Sequence, residues 1–76
     1  MTEVQISKPI TVNRMKEIIK KHKNYLSLYR GKFMAFDITT GEFVRWDNTE
    51  LKIIQSIQRW EEHPENIFIY GVPLIV

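Results

Sequence analysis

The sequence predicts a small α+β domain, a two-layer sandwich in which two helices cover one face of an antiparallel sheet. Two stretches carry apolar residues at three- and four-residue steps, which is typical of amphipathic helices. Between and after them lie short runs rich in aromatic and β-branched residues, which favour strands. Isolated glycines separate the runs. The predicted order is helix, strand, strand, helix, strand.

The first helix is predicted to begin after Asn13, which is a suitable N-cap, and to end before Gly31. His22 lies on its apolar side and is expected at the boundary of the core. The predicted buried stripe consists of Met15, Ile18, Ile19, His22, Leu26 and Tyr29.

A β-hairpin is predicted next. In the run "KFMAFDI" (32–38), alternation places Met34, Phe36 and Ile38 on one side and Phe33, Ala35 and Asp37 on the other. Gly41 supplies the positive φ that a bulged turn requires, and "EFVRW" (42–46) returns antiparallel. The most apolar strand should be central, with strands 42–46 and 66–72 antiparallel on either side.

The second helix is predicted to be capped by Asp47 or Asn48, with Glu50 placed as in a capping box. It should end at His63 and Pro64, before the last strand "NIFIYGV". The predicted buried stripe of this helix consists of Leu51, Ile53, Ile54, Ile57 and Trp60.

The N-terminal residues 1–12 are predicted to form an extended arm or an additional edge strand. Val4, Ile6, Ile10 and Val12 lie at even spacing, and the pattern is broken by Lys8 and Pro9. Proline removes a donor from a strand ladder, so an edge position is favoured over a central one.

Length and composition restrict the class of protein. The 76 residues form one domain, 1–76, whose core supplies about 3 to 5 kcal/mol, and a chain with no cysteine has no disulfides. A partner chain is then the remaining source of stabilisation, which favours a homodimer. No apolar run approaches the ~20 residues that cross a membrane, and the N-terminus lacks a signal-peptide pattern. We expect a cytoplasmic protein.

The stretch "YRGKFMAF" (29–36) suggests the hypothesis that the protein is an RNA-recognition domain. RNA-recognition domains carry a basic residue, a glycine and aromatics on their base-stacking strand. When that signature is set on Arg30 and Gly31, the aromatics are out of register, and a one-residue slip turns side chains to the opposite face. The stretch is better explained as a helix end, a turn and a central strand.

The run from Gly31 to Ala35, followed by a hairpin, a helix and a final strand ending at Val72 and Pro73, resembles a small uncharacterised prokaryotic domain family. That family combines a glycine–lysine–aromatic–aliphatic–alanine strand with a late Val-Pro. The resemblance covers about residues 29 to 73, and Met34 departs from the usual valine. It implies the architecture and carries no established activity.

The residues offer no constellation for catalysis, for a metal or for a cofactor. His22 and His63 lie on different helices without ligand spacing, and the glycines are isolated. Asp37, Glu42 and Asp47 flank the hairpin, where solvation explains them better than acid–base work. We therefore expect a protein without enzymatic activity.

Two surfaces could bind a partner. Residues 1–32 carry a net charge of +6 and residues 33–76 a net charge of −4. The basic first helix is a solvated face, a nucleic-acid contact or a site for an acidic protein, and its candidate nucleic-acid-binding residues are Lys16, Lys20, Lys21, Lys23 and Tyr25.

The second surface is the uncharged terminal strand and tail, which belongs to the monomer core or invites strand pairing. Its candidate partner-binding residues are Ile67, Phe68, Ile69, Tyr70, Leu74, Ile75 and Val76. The favoured hypothesis is a protein-interaction module, such as a regulator or inhibitor of a larger protein. The alternative is a module that binds the nucleic-acid backbone.

Overall fold

A three-stranded antiparallel sheet lies between helices on its two faces. The computed structural model describes residues 11–75, so most of the predicted N-terminal arm, residues 1–10, lies outside the described residues. The helices are α1 (Val12–Lys21), α2 (Lys23–Leu26) and α3 (Glu50–Trp60), and the strands are β1 (Phe33–Asp37), β2 (Phe43–Asp47) and β3 (Ile67–Gly71). Short 3₁₀ turns follow α2, at Ser27–Tyr29, and precede β3, at Pro64–Asn66.

The sheet confirms the predicted class and topology. Its strand order is β2-β1-β3, and both outer strands run antiparallel to β1. The α+β class, the order of helices and strands and the central position of β1 are therefore as the sequence predicts. The end of the predicted arm differs, because Val12 begins α1.

The layering differs from the prediction, because α1 and α3 pack on opposite faces of the sheet. Met34 and Phe36 pack against Ile18 of α1 in one apolar cluster. Ala35, which points the other way, packs against Ile53 of α3 in a second cluster. The domain thus has three layers, and β1 lies between the two clusters and contributes residues to both. Met34, Ala35 and Phe36 are fully buried.

Each long helix begins at a threonine cap rather than at the predicted residues. The Thr11 hydroxyl accepts the backbone N–H of Arg14 at 3.0 Å, and Thr49 accepts that of Lys52 at 3.2 Å. Asn13 lies inside the first turn of α1, and Asp47 ends β2. A hydroxyl on a residue with extended backbone can satisfy a free N–H of the first turn, in the role that a carboxylate or amide was predicted to fill.

The buried stripe of α3 is narrower than predicted. Ile53 and Ile57 are buried, whereas Leu51 and Trp60 are each 65% exposed. Leu51 lies two residues before Ile53, which is about 200° around the helix and so faces solvent. Trp60 is the last residue of the helix, and the Arg59 guanidinium lies 5.2 Å from its ring centroid. In contrast, all members of the stripe predicted for the first helix are buried or half-buried, although that helix is divided at His22 into α1 and α2. His22 is buried, whereas the sequence predicts it at the boundary of the core.

An irregularity in the pairing of β1 with β2 directs the side chains of β2. Ala35 pairs with Arg45, but Phe36 pairs with Phe43, so Val44 is an extra residue in β2. Val44 and Arg45 consequently both lie on the α3 side, where Val44 packs in the second cluster. Phe43 is returned to the α1 side, where its ring lies 5.8 Å from Phe36.

Two glycines with positive φ act as predicted. Gly41 (φ 77°) closes the hairpin, where its N–H donates to the Asp37 carbonyl at 2.7 Å. Gly31 (φ 75°) begins the approach to β1, and a Cβ there would lie 2.8 Å from Leu74 Cδ2. Both the backbone angle and this contact with the C-terminal tail favour glycine at position 31.

Replacing Ile57 with alanine should lower the free energy of unfolding by about 2 to 5 kcal/mol, because it leaves a cavity between α3 and the sheet. The matched control is Leu51→Ala on the same helix, which removes an exposed side chain and should change stability by less than about 0.5 kcal/mol. Urea denaturation measures both. Equal losses in the two variants would show that the face of α3 has been assigned wrongly.

Candidate interaction surface

The hairpin aromatics other than Trp46 are buried or half-buried and pack in the two apolar clusters. Trp46 is 44% exposed, and a single exposed ring does not form a platform for stacked bases. The Tyr29 ring lies 5.5 Å from Phe43 and 5.6 Å from Trp46, and Phe36 contacts the rings of Phe43 and Phe68. Helices cover β1 on both sides. RNA-recognition domains use an uncovered sheet face for stacking. The structure therefore supports the core interpretation of "YRGKFMAF".

His22 holds α1 against the hairpin. Its side chain is buried, and Nε2 lies 2.8 Å from the Gly41 carbonyl oxygen, so the ring N–H donates to that oxygen. The ring also packs 5.0 Å from Phe36. On the same flank of α1, the Arg14 guanidinium donates to the Ile38 carbonyl at 2.8 and 3.1 Å. These groups are engaged in holding the fold.

Two of the three hairpin acids, Asp37 and Glu42, have separate structural contacts. Asp37 accepts the backbone N–H groups of Thr39 and Thr40, at 2.8 and 3.2 Å, and so shapes the turn. Glu42 pairs with the Lys21 ammonium at 2.7 Å, and the hydrogen bond and charge of Lys21 lower the pKa of Glu42. The geometry offers no paired-carboxylate site among these three residues.

Within residues 11–75, no group of three histidine, aspartate or glutamate side chains could hold a metal ion. Arg45 donates to one oxygen of Glu61 through Nε and Nη2, at 3.1 and 2.6 Å, which ties β2 to the end of α3. None of the helices in the described part of the chain has the length and apolarity needed to span a bilayer.

An open apolar groove lies between α1 and β3. Its volume is about 570 Å³, which is within the range of ligand sites, about 300 to 1,000 Å³. Phe68 and Tyr70 of β3 line one side of it. The other lining residues come from α1 and α2, namely Val12, Met15, Lys16, Ile19, Lys20, Lys23 and Leu26. Val12 is 60% exposed at one end of the groove.

Three of the four predicted lysines lie together beside this groove. Lys16, Lys20 and Lys23 are spaced by four and three residues, and they line one flank of the helical region. Among residues 11–75 none of these three ammonium groups has an ion-pair partner. Lys21 lies on the opposite flank, paired with Glu42. Tyr25 is exposed and contacts the His22 ring, away from the groove lining.

The outer edge of β3 borders the same groove. Val72 N–H donates to Lys32 O, and Ile38 N–H donates to Asn66 O, so positions 66 and 72 direct these groups toward β1. Hydrogen-bonding groups alternate along an antiparallel strand. The backbone groups of Ile67, Ile69 and Gly71 therefore point to the outer edge, where no strand within residues 11–75 pairs with them.

The predicted partner-binding residues of the last strand and the tail differ in their exposure. Ile67 and Phe68 are buried, and Ile69 and Tyr70 are half-buried. Leu74 and Ile75 are strongly exposed, and Ile75 is 90% exposed. Val76 lies outside the described residues. A partner could therefore contact the backbone and the half-buried apolar side chains of the strand. In the tail it could contact side chains that are almost fully exposed.

Sequence reasoning did not identify the apolar groove-lining residues of α1 as part of a binding surface. Val12, Met15 and Ile19 make the apolar stripe of this helix wider than its contact with the sheet requires. The width of this apolar stripe was the sequence signal that could have indicated the groove. The neighbouring lysines were visible, but the separation of Lys21 from the other three depends on where Glu42 lies.

Comparison of the chain with protein-family models, with curated proteins and with solved structures finds no match. The resemblance to an uncharacterised prokaryotic family therefore stays a prediction, and the function is argued from the surface itself.

Replacing His22 with leucine should lower the free energy of unfolding by about 1 to 3 kcal/mol, because the buried Gly41 carbonyl loses its hydrogen-bond donor. His63→Leu is the matched control, since the His63 side chain is 67% exposed. We expect little change in that variant. Thermal and urea unfolding measure both effects. A His22→Leu protein as stable as the unaltered chain would contradict the expected net loss of stability.

Proposed function

We propose that this chain is a small protein-interaction module without enzymatic activity, which binds a partner protein in the groove between α1 and β3. The groove itself carries the proposal, because it combines an apolar floor, a row of lysines and a strand edge that pairs with no other strand of residues 11–75. Contiguous apolar surface with a polar rim is typical of protein-binding sites.

We propose that the domain regulates or inhibits a larger protein, because occupation of the partner's surface would block or position that surface. The described polar residues support binding over catalysis, since His22, Asp37 and Glu42 are held in structural contacts. The absence of cysteine is consistent with the cytoplasmic setting that we propose.

Nucleic-acid binding is the second candidate, and the row of Lys16, Lys20 and Lys23 favours it. Three adjacent ammonium groups would contact phosphates regardless of base sequence. Lys21 adds less than expected, because Glu42 neutralises it. The apolar floor beside the lysines suits aliphatic side chains better than a sugar–phosphate backbone, so we rank this candidate below a protein partner.

Self-association through the C-terminal tail is a further proposal of ours. Leu74 and Ile75 expose apolar side chains that a second copy would cover. A small core gains stability from such a contact. In a two-fold arrangement, the two tails would pack against each other.

The groove proposal predicts that Val12→Glu abolishes partner capture without unfolding the protein. The new carboxylate would lie in the apolar groove, yet it would stand in the first turn of α1, which has no acidic residue and where a negative charge is favourable. Leu51→Glu is the matched control, because it makes the same change in the first turn of α3, at a similarly exposed position.

The measurement is affinity capture from native lysate with the unaltered chain and both variants. We expect proteins that are retained by the unaltered chain and by Leu51→Glu to be lost from Val12→Glu. Equal capture by all three chains would contradict the groove as the binding surface.

The tail proposal predicts that Ile75→Asp shifts the protein to a monomer. Ile75 is the most exposed large apolar residue in the described part of the chain, so its replacement leaves the monomer core intact. Leu28→Asp, at another exposed leucine, is the control. Sedimentation at increasing concentration measures the effect. A monomer at high micromolar concentration in the unaltered chain would exclude self-association.

A further inference from the structure

We infer that the groove takes an extended, acidic segment of the partner, which adds to β3 as a fourth strand and places alternate aliphatic side chains in the groove. This inference rests on the proposed function, and it assigns the chemistry of the partner.

The backbone of β3 provides the first argument. Ile67, Ile69 and Gly71 direct their N–H and C=O groups toward the outer edge, so an added strand would find donors and acceptors at two-residue intervals. Such strand addition derives affinity from main-chain hydrogen bonds. An α-helical ligand would leave these backbone groups without partners.

The position of the groove provides the second argument. Phe68 and Tyr70 point to the α1 side of β3, and both line the groove. Every second side chain of a strand placed beside β3 would point to that same side. These side chains would meet Phe68 and Tyr70 on one hand and Met15 and Ile19 on the other. Aliphatic residues at alternate positions fit such a floor.

Charge provides the third argument. Lys16, Lys20 and Lys23 cover about 10 Å of helix, which is the length of about three residues of strand. A short acidic segment would therefore reach all three ammonium groups. The groove lining contains three lysines and no aspartate or glutamate, so electrostatic complementarity selects a negatively charged ligand.

The same charges disfavour a second copy as the occupant. Pairing β3 with its own copy around a two-fold axis would place both lysine rows on one side of the joined sheet. Each row would face lysines where it needs carboxylates. A foreign acidic segment avoids this repulsion, whereas tail-mediated association does not require the β3 edge.

The test is an NMR titration of the full chain with a synthetic peptide of about seven residues in which glutamate alternates with valine, a length typical of a strand. We expect shifts confined to the groove lining and to the backbone of Ile67, Ile69 and Gly71. A peptide with lysine in place of glutamate should bind at least about tenfold more weakly. A peptide of the same composition with its valines contiguous should also bind more weakly.

Variants of the chain complete the test. Val12→Glu should weaken peptide binding at least about tenfold, and Leu51→Glu should leave it unchanged. The triple change of Lys16, Lys20 and Lys23 to glutamine should reduce the salt dependence of binding. Equal binding of the acidic and basic peptides would overturn the inference.

The experiments would distinguish a failure of this inference from a failure of the proposed function. Val12-dependent capture of a protein, together with no binding of the alternating acidic peptide, would keep the proposed function and overturn the acidic strand. Preferential binding of a single-stranded oligonucleotide at the lysine row would favour the nucleic-acid candidate. Contacts from residues 1–10 or from a second copy to Phe68 and Tyr70 in the free protein would overturn a foreign occupant.

Discussion

Burial of β1 on both of its faces is the constraint on which the rest of the domain depends. A strand of five residues supplies Met34 and Phe36 to one apolar cluster and Ala35 to the other. Both neighbouring strands pair with it, so its backbone is also enclosed at both edges. Both long helices pack against this strand, Ile18 of α1 in the cluster of Met34 and Phe36 and Ile53 of α3 in the cluster of Ala35.

The two sides of β1 are unequal, and this asymmetry explains the position of the groove. On the α3 side, the small Ala35 side chain lets Ile53 and Ile57 pack directly over the strand. On the α1 side, the large Met34 and Phe36 fill the centre of the sheet. The α1 helix is held toward the hairpin by His22, Arg14 and Lys21. Its other flank, over β3, is left partly uncovered by the rest of residues 11–75.

The sequence predicted those features that depend on local pattern. The glycines at 31 and 41 were placed correctly, because positive φ strongly favours glycine. Strand alternation in β1 also sorted its side chains correctly. The predicted layering, with both helices on one face of the sheet, was wrong. The sequence contained a signal for the observed layers, because residues 33 to 36 are all apolar, which is typical of a strand covered on both faces.

Other features depend on distant contacts and left no local trace. The extra residue Val44 appears only once β2 is aligned with β1, and the burial of His22 depends on the Gly41 carbonyl. The candidate site depends both on local sequence patterns and on contacts between distant residues. Its lysines and its terminal strand were visible in the sequence, whereas their convergence on one groove required the fold.

Separation of the two apolar clusters by the β1 backbone has a consequence for how this protein could change over time. All groove-lining residues belong to the α1 side of the sheet, and the Ile53 and Ile57 cluster lies on the other side. Distant side chains with no shared contacts contribute to stability almost independently. Substitutions that adapt the groove to a new ligand therefore leave the packing on the α3 side unchanged. Ligand specificity can change in this way while the fold is retained.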